Sequence, residues 1–338
     1  MIENKIRAGA LFSGIGGFCL GFEQQGIETA WAVENDLAAV STYNANLGGN
    51  KVLNRDGIPF SIKELGVVSH GLQSVDILHA GFPCQSFSVA GDRKGFNDPR
   101  GQLFYEIIRL LKEFGEDRPS VLLLENSPNL RIGEGGRWFL ELSNQIKKAG
   151  YWFREANAVE LDSFDHTDVP QKRKRLFMVA FATNRFRNGK IDMNFPSSLP
   201  QKDLAQYINF DGEVSDDSYY LDTNNKYYKM ITEKIDDPRS VLQLRKYEVR
   251  DKGVNVVPTL TANMGQGGHN VPFILDKKGL RKLTEYECLR IQGFPSNYVF
   301  PEEVPRAKRY QQVGNSVVPP LINLIADRIK TKIQAERI

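Results

Sequence analysis

The sequence predicts an α/β fold, an open and mostly parallel sheet joined to a second, smaller and irregular domain. Three observations lead there. Short apolar runs alternate with helix-periodic stretches through the first half of the chain. A glycine-rich turn joins the first run to the first helical stretch. After about Asn184 the alternation gives way to polar, tyrosine-rich sequence punctuated by Pro196, Pro200 and Pro238.

In order, Ile6–Phe12 reads as a strand, Phe18–Gln25 as a helix, Thr29–Val33 as a strand and Leu37–Asn44 as a helix. Val75–Ala80 and Val121–Leu124 are further apolar runs. Between them Gly101–Phe114 places Leu103, Phe104, Ile107, Ile108, Leu110 and Leu111 at helical spacing. Trp138–Ala149 repeats that pattern, and Arg175–Ala182 is another strand. Asn188–Asp251 is irregular, and Val254–Asn270 mixes a β-like run with glycines. Ser316–Lys332 reads as a helix with Pro319 and Pro320 in its first turn. The plan is a sheet domain over residues 1–184, completed by 308–338, with 185–307 as the second domain.

Composition bounds the function. The 338 residues suffice for about two domains at roughly 150 residues each. With 41% hydrophobic and 25% charged residues, the chain is neither a disordered tail, a fibrous repeat nor a membrane bundle. A net charge of +3 leaves nucleic acid open, because its distribution matters as much as its sum. Three cysteines are too few for a disulfide framework and point to a reducing, cytoplasmic setting with no membrane partner. The four histidines are scattered, so no metal site is expected.

Four segments carry chemistry. Leu11–Gly17 is a strand-to-helix turn whose glycines let a ligand approach the backbone, and Glu34 follows about 20 residues later, where a carboxylate takes ribose hydroxyls. No lysine-serine or lysine-threonine pair follows, which argues against a phosphate-cradling loop. Gly81-Phe82-Pro83-Cys84-Gln85 places Cys84 just past the carboxyl end of a strand, before a long glycine-bearing stretch, Val89–Arg100, that reads as a closing loop. A free cysteine is more often a small buried hydrophobe, the reading preferred for Cys19 and Cys288. Glu125 abuts four apolar residues, so desolvation makes it a candidate acid, with a capping glutamate as the plain alternative. In Gln171-Lys172-Arg173-Lys174-Arg175, extended backbone puts Arg173 and Arg175 on one face and Lys172 and Lys174 on the other.

Together these segments resemble the DNA (cytosine-5) methyltransferase family of the bacterial restriction-modification type. Phe12-Ser13-Gly14-Ile15-Gly16-Gly17 is similar to its cofactor loop, Pro83-Cys84-Gln85 to its nucleophile motif, and Glu125-Asn126 to its acid motif. Gln171-x-Arg173-x-Arg175 is similar to its basic motif. Arg281-Lys282-Leu283-Thr284, with Glu287, Arg290 and Gln292-Gly293-Phe294-Pro295, resembles the penultimate motif, and Gln312–Val317 the last. The six motifs stand in the family's order. Two positions depart from its pattern: Ala10 stands where an aspartate is usual, and Ser127 where a valine is usual. Neither removes a reacting group.

The resemblance implies a Rossmann-like sheet that binds S-adenosylmethionine, with a target-recognition domain, and transfer of a methyl group to carbon 5 of a flipped cytosine in double-stranded DNA. It implies Cys84 as nucleophile and Glu125, Arg173 and Arg175 as the groups that hold the base, with Arg173 on its carbonyl. Phe12, Gly14, Gly16, Gly17, Glu34, Asn35, Asp56, Gly81, Pro83, Leu103, Asn315 and Ser316 are implied around the cofactor. Gln85, Ser88, Arg100, Lys172, Arg245, Thr259, Thr261, Asn263, Gly265 and Gly267 are implied on DNA; glycines near Thr259–Asn263 permit close backbone approach. A restriction endonuclease acting on the same site, without necessarily binding this chain, is an implied partner. A tRNA cytosine-5 methyltransferase and an inactive DNA-binding homologue are the alternatives. The long insert before Arg281 argues against the first, and the presence of Cys84, Glu125 and Arg173 against the second.

Overall fold

The computed structural model describes residues 5–48, 51–83, 101–197, 203–245, 248–265 and 270–337. They form two compact units. The first comprises residues 1–161, 174–195 and 321–338; the second comprises 162–173 and 196–320.

The first unit holds β1 (Arg7–Leu11), α1 (Gly17–Glu23), β2 (Glu28–Val33), α2 (Leu37–Leu47), the small hairpin β3 (Asn54–Arg55) and β4 (Ile58–Pro59), and β5 (Ile77–Gly81). It continues with α3 (Leu103–Glu113), β6 (Val121–Asn126), α4 (Asn129–Ile132), α5 (Arg137–Lys148), β7 (Tyr151–Trp152), β8 (Ala158–Asp162) and β9 (Lys174–Ala182). The main sheet runs β2-β1-β5-β6-β9-β7, with β8 also on β9. The β1–β2, β1–β5 and β5–β6 pairs are parallel, and the pairs with β9 are antiparallel. The strand order reverses at β1, so a crevice lies past the carboxyl ends of β1 and β5, the usual ligand position in such sheets.

β5 and β6 are buried on both faces, as near-continuous apolar strands must be. Leu78, Ala80, Leu122 and Leu124 face one core, with Phe104, Ile107 and Leu111 of α3 and Leu142 and Ile146 of α5. Each such leucine, isoleucine or phenylalanine side chain contributes about 1.5–3 kcal/mol on full burial. Ala10, Cys19, Ala32, Tyr43 and Val52 form a second cluster. Asp36 caps α2 by accepting from the Ala38 and Ala39 amides at 2.9 and 3.3 Å.

The second unit is less legible from sequence. Within the stretch expected to be irregular, and just beyond it, lies a four-stranded antiparallel sheet, β11-β10-β12-β13. Its strands are β10 (Ser240–Leu244), β11 (Val249–Val254), β12 (Val271–Leu275) and β13 (Leu280–Lys282), around which lie α6 (Ser163–His166), α7 (Tyr228–Thr232), α8 (Glu285–Ile291) and α9 (Arg306–Asn315). β11 escapes the sequence reading because it is an edge strand with almost no buried face. The final helix, α10, spans Pro319–Glu336 and starts later than expected, because Ser316 is the C-cap of α9. Residues 162–173 and 308–320, read above with the sheet domain, belong to the second unit, where Arg173 bonds carbonyls of Leu260, Gly314 and Ser316.

The motif around Arg281 is a structural knot of this unit. The guanidinium is 1% exposed, pairs bidentately with Glu287 at 2.8 Å on both oxygens, and meets Asp276 at 2.6 Å. Thr284 and Glu287 close a reciprocal capping box at the start of α8. Removing one partner from a buried pair of this kind costs about 3–5 kcal/mol.

In the first unit His79 on β5 is fully buried, its ring stacked on Phe18 at 4.8 Å, with the Cys19 Sγ 4.0 Å away. Burial pushes its pKa down to about 3. The unfolded chain therefore binds the extra proton first, and stability present above about pH 6.5 is lost as pH falls toward 3. We expect wild type to lose about 1.5–2 kcal/mol more stability than His79→Leu between pH 6.5 and 5. Parallel stability-against-pH curves for the two proteins would contradict this assignment.

Candidate active site

The crevice of the first unit is built from the ends of four strands. β1 ends in a turn with left-handed backbone at Phe12, φ 54°, Gly14, φ 54°, and Gly16, φ 86°. A bulky side chain in that region costs about 1–2 kcal/mol. The Ser13 amide donates to Val33 O at 3.0 Å, which ties the turn to the end of β2. Glu34, the next residue, accepts from the Gly14 amide at 2.8 Å through Oε2, and from the Asn35 and Asp36 amides at 2.8 and 2.9 Å through Oε1. The carboxylate expected to take a ribose thus also organises the glycine turn.

The ends of β5 and β6 bring the acid in. Gly81 pairs in register with Glu125, and Glu125 with Phe177 of β9. A Cβ on Gly81 would lie 3.4 Å from the Glu125 Oε2 and 3.4 Å from the Phe18 ring, so this strand end packs directly against the Glu125 carboxylate. Glu125 is 9% exposed. Its Oε1 pairs with the Arg175 Nε at 3.0 Å. Asn126, whose role sequence reasoning missed, donates from Nδ2 to Phe82 O at 3.1 Å and accepts from the Ser127 amide at 2.8 Å. It thereby fixes the backbone at Phe82, just past the end of β5. An Asn following an acid at the end of an apolar strand was the available signal.

The basic segment alternates as its sequence predicts: Gln171 and Arg173 are buried, Arg175 is half-buried, and Lys172 and Lys174 are exposed. The two arginines have different partners. Arg173 donates to Leu260 O at 2.8 Å, Gly314 O at 2.9 Å and Ser316 O at 2.7 Å. Arg175 pairs with Glu125.

Other expected residues fall as follows. Leu103 opens α3 and packs on the sheet core. Asp56 is exposed, with φ 54°, in the turn between β3 and β4. Asn315 and Ser316 end α9 in the second unit, which also holds Lys172, Arg245, Thr259, Thr261, Asn263 and Gly265. Thr259 donates to Lys172 O at 2.6 Å, and Thr261 to the Asn263 Oδ1 at 2.7 Å. Cys84, Gln85, Ser88, Arg100 and Gly267 lie outside the described residues, as does the whole Val89–Arg100 stretch. Cys19 and Cys288 are buried, and burial pushes both thiols up, away from nucleophilic use. Among the described residues no His, Cys, Asp and Glu cluster could hold a metal ion, and no helix is long and apolar enough to cross a membrane.

The turn fits a nucleoside-bearing donor. A Cβ on Gly14 would meet no atom within 4 Å, and the Ser13 Oγ is buried without a hydrogen-bond partner among the described residues. Open space, a ready hydroxyl and the Glu34 carboxylate converge there. At Gly16 the case is opposite: a Cβ would lie 2.1 Å from the Leu47 Cδ1. We expect Gly16→Ala to lower stability by about 1–3 kcal/mol. Gly14→Ala should cost only about 1–2 kcal/mol of backbone strain, yet weaken S-adenosylmethionine binding more. Thermal melts and calorimetric titration separate the two effects; equal losses of binding in both variants would contradict this division.

Comparison with known proteins agrees with this geometry. The family model for C-5 cytosine-specific DNA methylases matches residues 6–331. The chain is 39% identical over 327 residues to the Type II methyltransferase M.Bsp6I of Bacillus sp. (strain RFL6), covering 96% of this chain and 98% of that protein. It is 33% identical over 322 residues to the Type II methyltransferase M1.ScrFI of Lactococcus lactis subsp. cremoris, covering 94% of this chain and 76% of that one. In fold it resembles the Entamoeba histolytica methyltransferase EhMeth, with a TM-score of 0.74 at 18% identity, over 98% of this chain and 99% of that one. A strand-end acid, a glycine turn with its ribose-type carboxylate and a full-length family match converge, and the chain belongs to the C-5 cytosine-specific DNA methylases, enzymes that methylate cytosine at carbon 5.

Proposed function

We propose that this enzyme methylates a cytosine rotated out of double-stranded DNA at one specific sequence, through a covalent bond from Cys84, with S-adenosylmethionine as donor. The observation that carries the reading is the Glu125–Arg175 pair beside Gly81 at the carboxyl ends of parallel strands. Asn126 holds the Phe82 carbonyl two residues before Cys84.

Carbon 5 of cytosine is a weak nucleophile, and inside a duplex it is out of reach. The Cys84 thiolate adds to carbon 6, forming a carbon–sulfur bond and pushing electron density toward carbon 5. Glu125, holding a proton, donates it to the ring nitrogen between the carbonyl and the amino-bearing carbon, so charge does not build up on the ring. Arg175 orients Glu125 and takes the base carbonyl, the part the resemblance gave to Arg173. Carbon 5 then carries the new methyl group. Water takes the carbon 5 proton, the double bond to carbon 6 reforms as the thiolate departs, and the ring nitrogen returns its proton to Glu125. The bound donor supplies a methyl group on positively charged sulfur. The Gly14 turn, Ser13 and Glu34 hold it, joined in this proposal by Phe12, Gly16, Gly17, Asn35, Asp56, Gly81, Pro83, Leu103, Asn315 and Ser316.

The second unit reads the target. Thr259, Thr261 and Asn263, with Gly265, offer polar groups on a segment whose Leu260 and Met264 are buried. Lys172 and Arg245, with Gln85, Ser88, Arg100 and Gly267, complete the proposed contacts. An endonuclease cutting the same sequence is the proposed functional partner, because methylation at a fixed site protects DNA only against a matching cut.

Bisulfite sequencing of plasmid DNA from cells expressing the protein should show protected cytosines within a single short sequence. Cys84→Ser should abolish turnover while DNA binding persists, and Glu125→Gln should slow transfer by about 100- to 10,000-fold. Uniformly converted DNA, or undiminished turnover in Cys84→Ser, would overturn the proposal.

A further inference from the structure

Within the second unit, two buried glutamines join segments far apart in sequence. The Gln171 Oε1 accepts from the Leu260 amide at 3.0 Å. Its Nε2 donates to the Gln292 Oε1 at 2.8 Å. The Gln292 Nε2 donates in turn to Ser316 O at 2.8 Å. Both side chains are 0% exposed. The chain of bonds starts at a backbone N–H and ends at a backbone carbonyl. Neither amide can be turned over without setting oxygen against oxygen or donor against donor, so the direction of the relay follows from its ends.

This relay acts on the segment Pro258–Gly265. Backbone pairing with the basic segment stops at Val257, whose amide donates to Pro170 O and whose carbonyl accepts from the Lys172 amide, both at 2.8 Å. Beyond it, side chains replace the ladder: Gln171 takes the Leu260 N–H and Arg173 takes the Leu260 C=O. On another side Gly314 approaches so closely that a Cβ would lie 2.2 Å from the Thr261 carbonyl carbon. In extended backbone a one-residue slip would exchange Thr259 and Thr261 for Leu260 on the outward face.

We propose that Gln171 and Gln292 are positioning residues for target discrimination: their relay sets the register of Pro258–Gly265, and with it which side chains meet the DNA bases. This rests on the reading that the segment contacts DNA. It assigns the relay no part in methyl transfer, so its effect is on the choice of sequence.

The test uses the full chain and the target sequence found by bisulfite sequencing. Methyl transfer is measured on that target and on duplexes with one base pair changed, as a ratio of kcat/KM values. Gln171→Met should lower the ratio about 10-fold, since one mismatched pair is typically worth about 1–3 kcal/mol. Gln292→Met should do the same, and the double variant should lose no more than either single one, because each breaks the same relay. Gln292→Glu supplies a second readout. As a carboxylate it accepts from Gln171 but cannot donate to Ser316 O; protonated, it does both. Its discrimination should be poor at pH 8 and rise toward that of wild type as pH falls to 6. Cooperative unfolding and S-adenosylmethionine affinity, measured alongside, report the fold; if Gln292→Glu does not hold it, Gln171→Glu makes the same test from the other end. Lowered melting temperatures with unchanged discrimination at both pH values, or additive losses in the double variant, would overturn the proposal. Absence of any methylation by the wild-type chain would instead overturn the reading on which it rests.

Discussion

One buried cation ties together distant segments of the second unit. Arg173 is 3% exposed, and its guanidinium donates to the carbonyls of Leu260, Gly314 and Ser316, which lie 87, 141 and 143 residues along the chain. Hydrogen bonds from a charged donor contribute about 1.5–3 kcal/mol each, and a buried guanidinium without them would be strongly unfavourable. These carbonyls belong to the segment Pro258–Gly265 and to the end of α9, neither of which has sheet partners there. A cation therefore does what a β-ladder does elsewhere. Its own backbone is held in turn, with the Arg173 amide donating to the Asp162 Oδ1 at 2.9 Å.

Two residues on, the same segment meets a different need. Arg175 pairs with Glu125 at the end of β6, in the first unit. Alternation in extended backbone sends Gln171, Arg173 and Arg175 inward and both lysines outward. The first two inward residues bond within the second unit, and the third pairs with Glu125. Glu34 combines both tasks in one carboxylate. It takes three backbone amides around the glycine turn, and the space beside Gly14 stays open next to it. Asn126 likewise joins two strand ends, holding the Phe82 carbonyl past β5 from the last residue of β6.

The sheet unit was legible because its strands are buried on both faces and its helices carry a clear apolar stripe. Val121–Leu124 and Gly101–Phe114 read correctly to within a few residues of β6 and α3. The second unit was not, because its order comes from polar contacts that leave little periodicity. β11 shows no buried face, and Arg281, a charged residue by composition, sits at the centre of a buried ion cluster. At the site, Glu125, Glu34 and the glycine turn were visible as residue types at strand ends. The division between Arg173 and Arg175 was not, since two identical side chains on one face differ only in what tertiary structure sets against them. Gln171 and Gln292 were hidden for the same reason.

The measurement that tests this account most directly compares single-turnover methyl transfer by Arg173→Met and Arg175→Met, with DNA and S-adenosylmethionine both saturating. Arg175→Met should bind DNA nearly as wild type does but transfer at least about 100-fold more slowly. Arg173→Met should need far more DNA to saturate and then transfer at close to the wild-type rate. The reverse pattern, a full rate without Arg175 and a lost rate without Arg173 at saturation, would contradict it.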